Sequence, residues 1–140
     1  MAANILIVDD SATMRRMIRR TLEISDLNIN QVYEASNGIE ALACMDANPI
    51  DVVLLDINMP VMGGDRLIER IRCDRRLRNI PLIIASTEGS ETRVKRLLEA
   101  GARGYLRKPF LPEQLRDVLA PIVGSGQKTS PAGSQDQFAF

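Results

Sequence analysis

"VVLLDINMPVMGG" (Val52–Gly64) is the stretch on which the fold turns. Four apolar residues run straight into a carboxylate, Asp56, and then into a polar turn with a proline and two glycines. An apolar run without alternation is the mark of a strand buried on both faces, as in a parallel sheet covered by helices. Ile5-Leu6-Ile7-Val8 and Leu82-Ile83-Ile84-Ala85 read the same way. Val32 to Ala35 and Gly104 to Arg107 are weaker strand candidates.

Helical patterns separate these runs. Met14, Met17, Ile18, Thr21 and Leu22 form an apolar stripe, with Arg15, Arg16, Arg19 and Arg20 on the other side and Ser11 or Thr13 as cap. Ile39, Leu42 and Ala43 mark a second helix after the Asn37-Gly38 turn. Leu67, Ile68 and Ile71 mark a third after Gly64, and Val94, Leu97 and Leu98 a fourth that Gly101 ends. Pro112 suits the first turn of a fifth, whose stripe is Leu115, Val118, Leu119 and Ile122. The predicted order is β-α five times over. The fold class is therefore α/β, a (βα)5 doubly wound five-stranded parallel sheet with right-handed crossovers. From Gly124 the chain turns rich in Gly, Ser, Gln and Pro, without periodicity. The division expected is a domain over 1–123 and a flexible tail over 124–140, whose Phe138-Ala139-Phe140 end is the oddity.

Composition narrows the function. The 140 residues carry 18 Lys+Arg and 18 Asp+Glu, so net charge supplies no argument for nucleic acid or a membrane surface. There is no histidine, which removes a Ser-His-Asp triad within this chain. Cys44 and Cys73 lack metal-ligand spacing and read as half-buried small hydrophobes in a reducing compartment. No apolar run reaches the roughly 20 residues needed to span a bilayer. The opening MAANILIVDD lacks the features of a signal peptide. A cytoplasmic location is expected.

In open α/β sheets ligands bind at the carboxyl ends of the strands. There this sequence places Asp9 and Asp10, Asp56, Ser86 and Thr87, and Lys108 followed by Pro109. Three aspartates on one rim repel one another, and one lysine neutralises only one of them. An all-oxygen donor set calls for Mg²⁺, with Mn²⁺ able to take its place. Mg²⁺ beside carboxylates points to phosphoryl chemistry, with an Asp as nucleophile and Lys and a hydroxyl on the phosphoryl oxygens.

These residues carry a resemblance. "ILIVDDSATMRR", "VVLLDINMPVMGG", "PLIIAST" and "GARGYLRKPF", in that order, resemble the receiver domain of bacterial two-component response regulators, most of all the single-domain chemotaxis type. The resemblance runs from Ile5 to about Ile122 and implies the flavodoxin-like receiver fold with strand order 2-1-3-4-5. It implies that Asp56 is the phospho-acceptor, and that Asp10, Asp56 and the backbone carbonyl of Asn58 bind Mg²⁺, with Asp9 acting through a water. Lys108 would contact the phosphoryl group, Ser86 rather than Thr87 would be the switch hydroxyl, and Tyr105 the switch aromatic. Asp56, Lys108 and Ser86 would thus carry self-catalysed phosphorylation and dephosphorylation. Asn58 and Glu88 would tune loss of the phosphate, the Lys108-Pro109 bond would be cis, and Gly64 would supply a backbone conformation closed to other residues.

The implied donor is a sensor histidine kinase or a histidine phosphotransfer protein. The implied output surface is helix 4, strand 5 and helix 5, including Arg93, Lys95, Arg96, Tyr105 and Arg107. The leading target is the flagellar motor switch, the chain being a monomer or a dimer when active, with no direct contact to nucleic acid. The helix 1 arginines are expected to face solvent or a kinase. Other outputs within the family are a phosphorelay shuttle, the receiver half of a longer regulator, or an unphosphorylated docking module. Outside it, a haloacid dehalogenase-type phosphatase would carry D-x-D where this chain has Asp56-Ile57-Asn58, and a flavodoxin-like cofactor site would set its phosphate against Asp9 and Asp10.

Overall fold

The computed structural model describes residues 2–57, 62, 64–87 and 91–123. Its elements are β1 (Ala3–Val8), α1 (Ala12–Glu23), β2 (Ile29–Ala35), α2 (Gly38–Ala47), β3 (Val52–Leu55), α3 (Gly64–Arg72), β4 (Leu82–Ser86), α4 (Glu91–Ala100), β5 (Gly104–Arg107) and α5 (Pro112–Val123). All strand pairs are parallel, in the order β2-β1-β3-β4-β5. The alternation read from the sequence is the fold. The expected tail, 124–140, lies outside the described residues, as do Asn58 and Glu88.

Each strand of the sheet centre sends alternate side chains to opposite layers. Leu6 and Val8 of β1 join Val53 and Leu55, Leu82 and Ile84 in a core closed by α2, α3 and α4. Ala3, Ile5 and Ile7 join Val52, Leu54, Ile83 and Ala85 in a second core closed by α1 and α5. Both faces are apolar, which is why the strands do not alternate in polarity. β2 is an edge strand and only partly buried, and its polar Asn30 and Gln31 hid its first half from the sequence pattern.

Helix ends follow local chemistry. Ser11 caps α1, its hydroxyl accepting from the Met14 amide at 3.1 Å. Asn37 caps α2, and Glu40 reaches back to the Ser36 amide and hydroxyl at 2.8 Å, bonds that hold its carboxyl below the usual range. Gly101 ends α4 with φ of 129°, a conformation that side-chain-bearing residues rarely adopt. Directly beneath it the Arg72 guanidinium donates to the Ala100 carbonyl, tying the ends of α3 and α4.

Four helix-face expectations are corrected. On α4, Leu97 is buried but Leu98, expected beside it in the stripe, is 41% exposed. The buried face of α2 is Gly38, Ala41 and Met45, whereas Ile39 and Ala43 are exposed. Small residues carry little hydrophobic signal, so the more apolar Ile39 misdirected the reading; an ideal Cβ on Gly38 would lie 2.6 Å from Met62. Met17, expected in the α1 stripe, is 55% exposed. Arg15 and Arg19, expected to face solvent or a kinase, lie over the edge strand and pair with Glu34. Cys44 is partly buried, which pushes its thiol up, but Cys73 is exposed rather than half-buried; both are free.

Candidate functional site

Register assembles the site. β1 and β3 pair so that Val8 sits opposite Leu55, and the residues that follow, Asp9 and Asp56, therefore emerge side by side. The Asp56 amide donates to the Val8 carbonyl at 2.9 Å, which continues the ladder into the loop. β1 is also where the chain winding reverses, since β2 lies on one side of it and β3 on the other. Such a reversal splays the crossovers apart and opens a crevice at the carboxyl edge.

Asp9, Asp10 and Asp56 fill that crevice. Each offers a carboxylate oxygen, and the three oxygens lie within 4.8 Å of one another. Asp9 is almost wholly buried at 2% exposure, Asp56 stands at 9%, and Asp10 is exposed. Asp9 spends both oxygens internally: Oδ1 accepts from the Ser11 amide at 2.9 Å, and Oδ2 accepts from Lys108 Nζ at 2.5 Å. Lys108 arrives from the end of β5, its amide donating to the Ser86 carbonyl at 2.9 Å. It is 8% exposed, and its ammonium stands 3.9 Å from Asp56 Oδ2. The Lys108-Pro109 peptide is cis. Lys108 is thus shared between two carboxylates, with Asp9 the nearer.

Ser86 closes β4 and is fully buried beside this group, whereas Thr87 is exposed. The Tyr105 hydroxyl approaches the Ser86 carbonyl at 3.4 Å, and its ring packs against the α2–α4 core. Tyr105 also lines an open cavity of about 430 Å³ with Glu91, Val94, Lys95 and Leu98 on the α4 flank. On the opposite flank Met14, Met17, Thr87, Lys108, Pro109 and Phe110 line an apolar cavity of about 130 Å³.

The donor set fits a hard divalent cation. Among the described residues three carboxylates face one ammonium, no sulfur or imidazole is within the group, and the acids lie close enough to share an ion. Oxygen-only sites of this kind suit Mg²⁺, which takes one or two carboxylates and keeps waters. Asp9 has both carboxylate oxygens engaged by donors of the protein, which favours a water-mediated rather than a direct bond to an ion there.

One residue of the neighbourhood escaped the sequence reading. Arg15 Nη1 donates to the Asp9 carbonyl at 2.6 Å, while its Nε donates to Glu34 Oε1 at 2.9 Å. Arg19 holds the other Glu34 oxygen at 2.8 Å. Burial raises the Glu34 pKa, but the hydrogen bonds and charges of Arg19 and Arg15 outweigh it and hold the carboxyl below its usual range. No sequence signal could link these residues, because Glu34 meets α1 only once β2 is placed beside β1.

The chain resembles known proteins in both sequence and fold. Residues 5–120 match the family model of the response regulator receiver domain. Chemotaxis protein CheY1 of Helicobacter pylori is 43% identical over 122 residues, covering 86% of this chain and 97% of the relative. The chemotaxis response regulator CheY4 of Vibrio cholerae superposes with a TM-score of 0.77 at 34% identity, over 87% of this chain and 99% of that one. CheY in the CheX-CheY-BeF3-Mg²⁺ complex from Borrelia burgdorferi superposes with a TM-score of 0.77 at 29% identity, over 86% and 88% of the two chains.

Proposed function

The chain belongs to the response regulator receiver domain family, its relatives being single-domain chemotaxis proteins, and from that premise we propose that it is a Mg²⁺-dependent switch that takes a phosphoryl group on Asp56. One observation carries the reading. Three carboxylates and a buried lysine converge at the switch point of the sheet, with Asp56 still partly open to solvent.

In the proposed step an Asp56 carboxylate oxygen attacks the phosphorus of the donor. A new O–P bond forms, the donor's bond to phosphorus breaks, and the leaving group keeps the electron pair. Asp10 and Asp56 would hold Mg²⁺, together with the Asn58 carbonyl, and Asp9 would act through a water. When bound, the ion would offset charge on the phosphoryl oxygens. Lys108 stands within reach of Asp56 and would swing from Asp9 to the new phosphoryl oxygens. Ser86 would donate its hydroxyl to another. The Borrelia relative, seen with BeF3 and Mg²⁺, supports such a site here.

Phosphorylation exchanges one negative charge for about two at this point. Recruitment of Ser86 and Lys108 would pull on the β4 end that also receives Tyr105, and so bias the α4–β5–α5 surface between two packings. Arg93, Lys95, Arg96 and Arg107 on that surface would read out the change. Asn58 and Glu88 would set the phosphate lifetime. A histidine kinase or phosphotransfer protein would supply the phosphoryl group, and the flagellar motor switch would be the output partner, a chemotaxis role being what the relative's name supports. A cytoplasmic setting follows from that role; among the described residues no helix is long and apolar enough to cross a membrane.

The test is intact mass after incubation with Mg²⁺ and acetyl phosphate. One Mg²⁺-dependent phosphoryl adduct is expected on the wild type and none on Asp56→Asn. No adduct on folded wild type would overturn the reading.

A further inference from the structure

Among the described residues Asp10 is held only through its backbone. It is exposed, and among the described residues its carboxylate has no hydrogen bond or ion pair. Its direction is therefore set by the peptide that joins it to Asp9. The two peptides that flank Asp9 are each held: in the preceding one the Asp9 amide donates to the Ala35 carbonyl at 3.1 Å, and in the Asp9–Asp10 peptide itself the Asp9 carbonyl accepts from Arg15 Nη1 at 2.6 Å. Arg15 does not wander, because its Nε is fixed on Glu34 at 2.9 Å and its side chain is only 16% exposed. Glu34 is fixed in turn by Arg19, whose Nη2 also donates to the Val32 carbonyl at 3.2 Å. The chain of contacts runs from the edge strand through one guanidinium to the peptide plane behind the acidic cluster.

We propose that Arg15, clamped by Glu34, is a positioning residue for Asp10: by fixing the Asp9–Asp10 peptide it sets the affinity of the acidic cluster for a divalent cation. The inference rests on the reading of that cluster as a Mg²⁺ site. It differs from a field effect in sign. A cation near the site repels Mg²⁺, so removing Arg15 as a mere charge would tighten binding, the single carboxylate of Glu34 being shared between Arg15 and Arg19. Removing Arg15 as a clamp frees the peptide, spreads the Asp10 carboxylate over several directions and weakens binding.

The experiment is isothermal titration calorimetry of Mg²⁺ into the unphosphorylated full chain, with acetyl phosphate labelling at saturating Mg²⁺ in parallel. Arg15→Met, which keeps the stem and loses the guanidinium, should bind Mg²⁺ about tenfold more weakly, as expected when one freed peptide unit must be ordered on binding. Its labelling rate at saturating Mg²⁺ should stay within about twofold of wild type. Arg15→Lys, which keeps one donor and the charge, should recover most of the affinity. Arg19→Met leaves the Arg15–Asp9 bond in place and should bind as wild type. Unchanged or tighter binding in Arg15→Met overturns the proposal, as does a loss in Arg19→Met equal to that in Arg15→Met. If Arg15→Met fails to fold, Arg15→Gln, which also removes the charge and cannot span from Glu34 to the Asp9 carbonyl, carries the test: a severalfold loss of Mg²⁺ affinity supports the clamp, and wild-type or tighter affinity overturns it. A wild type that binds no Mg²⁺ overturns the functional reading itself, and the clamp with it.

Discussion

Lys108→Met tests whether the buried lysine holds the site together. The ammonium lies 2.5 Å from Asp9 and 3.9 Å from Asp56, and Asp9 is 2% exposed. At 3.9 Å the attraction of one such pair is about 4 kcal/mol at an effective dielectric of about 20. Desolvation of both partners cancels much of that in the intact pair. Removing one partner keeps the desolvation cost of the other, and buried pairs broken this way lose about 3–5 kcal/mol. Met matches the lysine stem in volume, so little of the loss is packing. Urea unfolding followed by circular dichroism at pH 7 in EDTA should show a fall of that size. Asp9→Asn combined with Lys108→Met leaves no orphan charge at that position and should recover at least about half of it. Mg²⁺ should then stabilise Lys108→Met more than wild type, since it no longer competes with an ammonium; at a hundredfold excess over Kd an ion contributes about 2.7 kcal/mol. A Lys108→Met cost under about 1 kcal/mol in EDTA, or a double variant no more stable than the single, would refute the reasoning.

Other expectations follow from particular contacts. Gly101→Ala should lower stability by about 2 kcal/mol or more by thermal unfolding, because φ of 129° strains any side chain and its Cβ would meet the Arg72 guanidinium. Leu54→Ala should cost about 2–5 kcal/mol in the same assay, the side chain being buried at 1% exposure in the α1/α5 core. Glu34→Gln should cost under about 1 kcal/mol at pH 7, since the pair is partly exposed. The folded pKa of Glu34 is depressed, so its contribution is present above the ordinary 4.5 and lost as pH falls through the lower folded value. The wild-type and Glu34→Gln stabilities should therefore converge below pH 4.5, and a gap that persists in acid would contradict the ion-pair account.

The sequence by itself determined the strands, the helices and their order. Strand interiors such as Val52–Leu55 are apolar without alternation because both faces are covered, and that is written locally. The polar residues at the strand ends were legible for the same reason: Asp9, Asp56 and Ser86 stand where an apolar run stops, and Lys108 follows the weaker pattern of Gly104–Arg107. Where the local signal was weak the reading failed, as on α2, whose buried face is built of Gly38, Ala41 and Met45.

Tertiary structure decided the rest. Val8 opposite Leu55 is a pairing of segments far apart in the chain, and only that register brings Asp9 beside Asp56. The choice of Lys108 between the two carboxylates depends on the path of the chain after β5. The turning of Arg15 and Arg19 toward Glu34 depends on β2 lying next to β1, although helical periodicity alone assigned them to solvent. Periodicity records which face of an element is apolar; it carries no record of which other element will stand beside it, and it is that neighbour which gives a buried charge its partner.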